Sequence, residues 1–249
     1  MRDDPNQYSL PFRVRYEECG PGGVLRAAVC LRYVQELAFA HSTALGFPLA
    51  WYEAHRRFWL VRRVRLVVEA PARYGEDLMA TTQVLGMRRV LARRRNTIRR
   101  AGDGAPVATA VVDWIFTADG STPVPVPEPL VAAFPALGRT ISAAPLPEPP
   151  VPADAQWTAR RIRLGDLDAM GHANNAVYVD LLDDALWRAG AGAALHRYPR
   201  TYDLQYHAAA RADEALREVL WQDADGWHYR LEGVAGRLRA HGRLRAGED

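Results

Sequence analysis

Arg161-Ile-Arg163-Leu-Gly-Asp166-Leu-Asp168-Ala-Met170-Gly171-His172-Ala-Asn174-Asn175-Ala-Val-Tyr178 is the stretch on which fold and chemistry both turn. It opens as a short alternating strand, passes an acidic turn and a glycine-containing loop, and enters a helix. Asn174 or Asn175 is placed to act as N-cap, because a short side-chain oxygen there accepts an unpaired N–H of the first turn. Behind it Val177, Leu181, Leu182, Ala185, Leu186 and Ala189 recur at helical steps and lead to Gly190. Such a wide apolar stripe suits a helix wrapped on several sides. The loop gathers two carboxylates, an imidazole and two carboxamides at a helix N-terminus. Backbone N–H groups and the positive end of the helix dipole suit an anion there, including the oxyanion formed when a carbonyl is attacked. A carboxylate beside such a site activates water or attacks directly, so the ingredients for acyl transfer lie together.

Working outward, the same order of signals occurs earlier in the chain. Arg13-Val-Arg15-Tyr-Glu-Glu18 reads against Arg161–Asp166, and a helix follows in which Leu31, Val34, Ala38, His41 and Leu45 recur before Gly46. Strands come next: an alternation at Val64, Leu66 and Val68, then Leu78–Leu85, Val90–Arg99 and Ala105–Thr117. The second half offers Thr201–Tyr206, Ala215–Gln222, Trp227–Val234 and Leu238–Leu244. The polar turn Arg73-Tyr-Gly-Glu-Asp-Leu78 matches Arg211-Ala-Asp-Glu-Ala-Leu216. One strand, one central helix and a run of antiparallel strands, made twice, is an α+β plan. Between the copies Ala143–Ala155 carries five prolines and no apolar periodicity, which reads as an extended linker. The expected domains are residues 1–139, a linker at 140–157, and residues 158–249. In this alignment Asp168 faces Gly20 and His172 faces Val24, so only the second copy carries the loop's chemistry.

Composition narrows the class. The chain has 249 residues, 49% hydrophobic, enough for two small cores. All 32 basic residues are Arg and the net charge is only +3, a bias that fits a GC-rich coding sequence. Arg88, Arg89, Arg93, Arg94, Arg95, Arg99 and Arg100 alternate with other residues as on a solvated strand, without the interleaved aromatics that nucleic-acid binding needs. The sharper reading of this face is attraction of an acidic carrier protein or a phosphate. Two cysteines make no disulfide framework, and no paired Cys and His stand at zinc spacing, so no metal is expected. No signal-like stretch opens the chain and no long apolar run crosses a membrane, which points to a cytoplasmic protein.

The loop resembles the active-site run of hot-dog thioesterases, Asp-x-Asp-x-x-Gly-His-x-Asn-Asn-x-x-Tyr. The first half resembles the N-terminal repeat of acyl-acyl carrier protein thioesterases at Tyr16-Glu17, Gly20-Pro21, Gln35-Glu36, His41, Trp59, Arg94-Arg95 and Asp113-Trp114. The resemblance spans almost the whole chain in order. It implies two tandem hot-dog domains, each an antiparallel sheet around a long helix. It implies hydrolysis of a fatty or related acyl thioester on acyl carrier protein or coenzyme A, with no cofactor, and it admits a homodimer. Carried over by position, Asp168 is the catalytic base or nucleophile and His172 polarises the carbonyl or orients water. The backbone at Gly171 and His172 supplies oxyanion donors, and Asn174 fixes the loop. Asn175 and Tyr178 face substrate, and Gln35, His41 and Trp59 line a pocket of the first repeat. The pantetheine arm is expected between the repeats. Three positions depart from the plant members: Met170 stands where they have Asn, and Ala209 and Ala210 where they have an acid and a cysteine.

Plainer readings stand beside these. Asp168 is also a good turn residue before a helix. Asn174 reads as a cap, Asp166 as a partner for Arg161 or Arg163, and Asp180, Asp183 and Asp184 as a solvated helix face. His41 on an apolar stripe reads by default as a satisfied core histidine. Trp59, Trp114, Trp187 and Trp221 read first as core or interface residues and second as pocket liners. A hot-dog dehydratase and an acyl-binding protein without catalysis are the alternatives.

Overall fold

The computed structural model describes residues 4–134, 141 and 144–247. The chain divides into two compact units, one of Met1–Val64 with Glu69–Ala144, the other of Arg65–Val68 with Pro145–Asp249. In chain order the first half forms β1 (Gln7–Arg13), α1 (Ala27–Ala44), α2 (Leu49–Ala54), β2 (Arg57–Val68), β3 (Asp77–Arg88), β4 (Leu91–Arg100), β5 (Pro106–Ala118), β6 (Thr122–Pro123) and α3 (Glu128–Ala132). The second half forms β7 (Trp157–Arg160), α4 (Val177–Arg188), β8 (Arg200–Tyr206), β9 (Leu216–Asp223), β10 (Gly226–Glu232) and β11 (Leu238–Ala246). The first set of strands lies in the order β1-β3-β4-β5-β2, the second in the order β7-β9-β10-β11-β8. Strand for strand the orders are the same: an α+β plan made twice.

Both opening strands sit earlier than the sequence predicts. β1 ends at Arg13, because Tyr8, Leu10 and Phe12 supply the alternation and Leu10 pairs with Ala80 of β3. β7 likewise stops at Arg160, so Arg161–Arg163 lead out of the sheet. The helices follow their apolar positions. α1 buries Leu31, Val34 and Leu37 against its sheet, and α4 buries Val179, Leu182 and Leu186 completely. Gly46 and Gly190 follow the last helical turns with φ of +90° and +75°, the left-handed region that glycine enters without a Cβ clash. The acidic face of α4 is not simply solvated: Asp183 accepts the Tyr202 hydroxyl at 2.8 Å, and Asp184 pairs with Arg160 and Arg188. Those two arginines also hold the buried Glu218. Trp187, expected in a core or interface, is 65% exposed at the end of α4.

Of the predicted linker, residues 140, 142 and 143 lie outside the described residues. Its proline-rich continuation is packed rather than loose. Leu146 is buried, its N–H donates to Gln205 Oε1 at 2.7 Å, and its carbonyl lies 3.3 Å from His241 Nε2.

β4 corrects the reading of the arginine cluster as a solvated strand. Ala92, Arg94, Asn96 and Ile98 are all buried, whereas Arg95 and Arg99 are exposed. Arg93 forms a two-pronged bond with Asp113, at 2.6 and 2.8 Å. Arg94 instead donates through Nη1 to His41 Nδ1 at 2.9 Å. His41 Nε2 lies 3.0 Å from the Pro5 carbonyl, and the ring stacks on Tyr8 and meets the edge of Phe134. Burial, followed by the adjacent Arg94 charge, lowers the His41 pKa from 6.5 to about 4, against opposing effects of Pro5 and Asp4.

Leu182→Ala in the core of α4 is expected to cost about 2–5 kcal/mol, read as a lower denaturation midpoint with unchanged slope. The depressed His41 pKa sets a second expectation. Between pH 6.5 and about 4 the unfolded chain takes up a proton that the folded chain refuses. Stability therefore falls as pH is lowered through that window, and this contribution levels off below it. Denaturation midpoints measured across the window should show the slope, and His41→Gln should flatten it.

Candidate active site

The loop that precedes α4 is closed by its backbone. Asp168 N–H donates to the His172 carbonyl at 2.8 Å, Gly171 N–H donates to the Asp168 carbonyl at 2.9 Å, and Leu167 bridges to Ala173. Gly171 has φ of +73°, which favours a residue without a side chain. The first unit makes the same loop. Gly20 N–H donates to Val24 O at 2.8 Å, Gly23 N–H to Gly20 O at 3.1 Å, Cys19 bridges to Leu25, and Gly23 has φ of +70°. The alignment of Gly20 with Asp168 and of Val24 with His172 thus has a geometric counterpart in each bond.

The flanks repeat as well. Asp166 is buried and accepts Arg163 N–H at 2.8 Å and Arg163 Nη2 at 2.8 Å, as Glu18 accepts Arg15 N–H at 2.8 Å. The Asp166 carbonyl takes Asn174 N–H at 2.9 Å, and the Ala210 carbonyl takes Ala173 N–H at 2.8 Å. The loop is therefore pinned at both ends by backbone.

On this frame Asp168 is half-buried. Its Oδ1 accepts N–H groups of Met170 at 2.9 Å and His172 at 3.2 Å. Its Oδ2 has no partner among the described residues, so one carboxylate oxygen is fixed by the loop and the other is not. The His172 ring, also half-buried, makes no hydrogen bond to a described residue. Asn174 Oδ1 accepts Ala176 N–H at 2.9 Å across the turn before α4; the N-cap of that helix is Ala176, without a side-chain cap, so neither Asn174 nor Asn175 takes the expected N-cap position.

The other expected roles differ in how they fit the geometry. The N–H groups of Gly171 and His172, expected as oxyanion donors, are already spent within the loop. The N–H and carboxamide of Asn175 are without partners among the described residues, while its carbonyl accepts the Tyr206 hydroxyl at 2.9 Å. Tyr178 is buried edge-on to Tyr206, and its hydroxyl accepts Ala210 N–H at 3.2 Å. Burial pushes its pKa up to about 12. The side chain thus braces the loop from beneath instead of presenting a surface.

The first unit holds a cavity that is partly open to solvent. Phe47, Tyr52, Trp59, Trp114, Leu130 and Phe134 are among the residues of its wall. Of the liners that the resemblance implies, Trp59 is found there. His41 stands behind Arg94 as a satisfied core histidine, and Gln35 is half-buried on α1 away from the cavity. Trp114, expected first as a core or interface residue and second as a pocket liner, also lines it, as does Arg94, for which no pocket role is expected from the sequence. The signal was available for Arg94, since it shares strand parity with Ala92 and Ile98.

In the second unit Glu148, His207 and His241 place ligand atoms within 4.8 Å of one another. Residues 93 positions apart are invisible to motif spacing (148 to 241). A divalent cation could be held there, although Arg230 already pairs with Glu148 and His207 Nε2 lies 3.0 Å from His241 Nδ1. Among the described residues no helix is long and apolar enough to cross a membrane.

The profile of the acyl-ACP thioesterase N-terminal domain matches residues 5–134. Among curated proteins none matches the chain. Solved structures share its fold at low identity. A protein provisionally described as an oleoyl thioesterase from Lactobacillus plantarum is 20% identical, with TM-score 0.82 over 98% of this chain and 97% of that one. An acyl-ACP thioesterase from Bacteroides thetaiotaomicron is 14% identical, with TM-score 0.78 over 98% and 99%. The 12:0-ACP thioesterase from Umbellularia californica is 16% identical, with TM-score 0.77 over 97% and 98%. These matches identify the repeated sheet-and-helix plan as the hot-dog fold. With the profile covering more than half of its length, the chain belongs to the acyl-ACP thioesterase family and is a thioester hydrolase.

Proposed function

We propose that Asp168 delivers water to the thioester carbonyl of an acyl group carried on acyl carrier protein. The observation that supports it is the contrast between two copies of one loop. The backbone is the same in both, yet only the second has a carboxylate with a free oxygen and an imidazole without a partner. A turn needing only its geometry would be served by Gly20 and Val24, as the first copy is.

In this reading Oδ2 of Asp168 takes a proton from water as the water oxygen bonds to the acyl carbon. The carbonyl oxygen becomes an oxyanion, and Asn175 N–H, unpartnered where the chain turns into α4, donates to it in place of Gly171 and His172. Collapse of the tetrahedral intermediate breaks the carbon–sulfur bond. The proton held by Asp168 passes to the departing thiolate, giving the free acid and a thiol. His172 orients the water or the carbonyl.

Carrier protein is preferred to coenzyme A on two grounds: family membership, and the exposed Arg88, Arg89, Arg95 and Arg99, which suit an acidic partner. A cytoplasmic setting agrees with the two free thiols, Cys19 and Cys30.

Release of free thiol from medium-chain acyl-carrier substrates is the direct measurement. Asp168→Asn is expected to lower kcat by roughly a hundredfold to ten-thousandfold with little change in KM or melting temperature. Full activity in that variant would remove Asp168 from the mechanism. A kcat/KM for acyl-coenzyme A equal to that for the matching acyl-carrier thioester would remove the carrier preference.

A further inference from the structure

The cavity of the first unit is apolar in most of its wall, yet it contains a buried cation. Arg94 is 8% exposed and among the described residues has one hydrogen-bond partner, the neutral imidazole of His41. The geometry fixes the roles in that bond. His41 Nε2–H donates to the Pro5 carbonyl, so Nδ1 is bare and accepts from Arg94. The nearest carboxylate in sequence on the facing strand, Asp113, is held in a two-pronged bond by Arg93. No acid pairs with Arg94 among the described residues. Buried charge is costly unless it is paired, and a guanidinium that keeps four further N–H bonds to give is built for a planar anion.

A second donor points the same way. Trp114 is 7% exposed, lines the same cavity, and buries its indole N–H with no acceptor. Buried indole N–H groups usually find one. The remaining polar groups of the wall do not supply it. Ser42 Oγ donates to the Phe47 carbonyl at 2.9 Å and lies 2.8 Å from the Tyr52 hydroxyl, so these two satisfy each other. The wall thus offers one cation and one spare donor, with no acceptor aimed at either. Aromatic and aliphatic surface from Phe47, Trp59, Leu130 and Phe134 surrounds them.

We propose that this cavity is a carboxylate-binding site, which takes an acid with an apolar body, its carboxylate on Arg94 and Trp114 Nε1 and its hydrocarbon against the aromatic wall. The planar fork of a guanidinium matches the two oxygens of a carboxylate. A phosphate dianion would leave charge and acceptors unmatched in so apolar a chamber. Two sources supply this chemistry: the free acid that the hydrolase releases, and an acyl substrate with a second carboxyl at its far end. The site is argued without reference to Asp168, and binding is read without turnover, so its failure and that of the hydrolase reading are separate.

The test is calorimetric titration of the full chain with octanoic acid and with 1-octanol, alongside tryptophan fluorescence from Trp59 and Trp114. Octanoate is expected to bind about tenfold more tightly than octanol, the margin of a charge-assisted bond. Arg94→Met should abolish that preference while retaining octanol binding, which reports an intact cavity. Trp114→Phe should weaken octanoate by a few-fold and leave octanol unchanged. Equal affinity for acid and alcohol in the native chain overturns the proposal. So does no binding of either, or an acid preference that survives in Arg94→Met. Hydrolysis of nonanedioyl- against nonanoyl-thioesters then separates the sources. Faster turnover of the diacid assigns the site to the substrate's far end. Equal turnover with inhibition by octanoate assigns it to the released acid.

Discussion

Two backbone hydrogen bonds and a one-residue bridge close the loop in front of each long helix, and everything proposed for the site depends on them. Because the closure uses N–H and C=O groups, it costs no side chain. Asp168 and His172 can therefore differ from Gly20 and Val24 without any change in the path of the chain. Carboxylates one turn earlier, Glu18 and Asp166, hold both loops in the same way, by accepting the N–H three residues back. A frame made from backbone explains how one copy can lose or gain chemistry while both keep their fold.

The same frame governs where charge is tolerated. Buried carboxylates in this all-arginine chain are met by guanidinium groups: Asp113 by Arg93, Asp166 by Arg163, Glu218 by Arg160 and Arg188, and Glu232 by Arg217 and Arg230. Arginine suits this role because its planar fork matches a carboxylate with two bonds. Arg94 breaks the pattern by facing a neutral histidine and an open chamber, which makes it informative about ligand and not about stability. A cation placed there for packing alone would work against the fold, since burial disfavours its charge.

Much of the plan was legible in the sequence because it rests on local periodicities. Helical spacing located both long helices, positive-φ glycines marked their ends, and alternation located the later strands to within a few residues. The matched turns at Arg73 and Arg211 recur as the same bond, N–H to the carboxylate three residues on, at 3.0 and 3.3 Å. The opening strands were placed late because Arg13-Val-Arg15 and Arg161-Ile-Arg163 alternate as well as a strand does. Pairing partners across the sheet, not alternation, decide which residues join it.

What the sequence determined alone was the duplication, the α+β order of its elements, and the presence of a carboxylate and an imidazole in the loop of the second copy and not of the first. Each of these follows from residue type and spacing along the chain. Tertiary structure alone decided which donors are free, because an N–H of Gly171 and one of Asn175 look alike until their acceptors are known. It also decided that Arg94, whose parity with Ala92 and Ile98 the sequence shows, lines a cavity. A strand's parity is visible in sequence, but the face that meets the helix and the cavity is set only when the sheet is assembled.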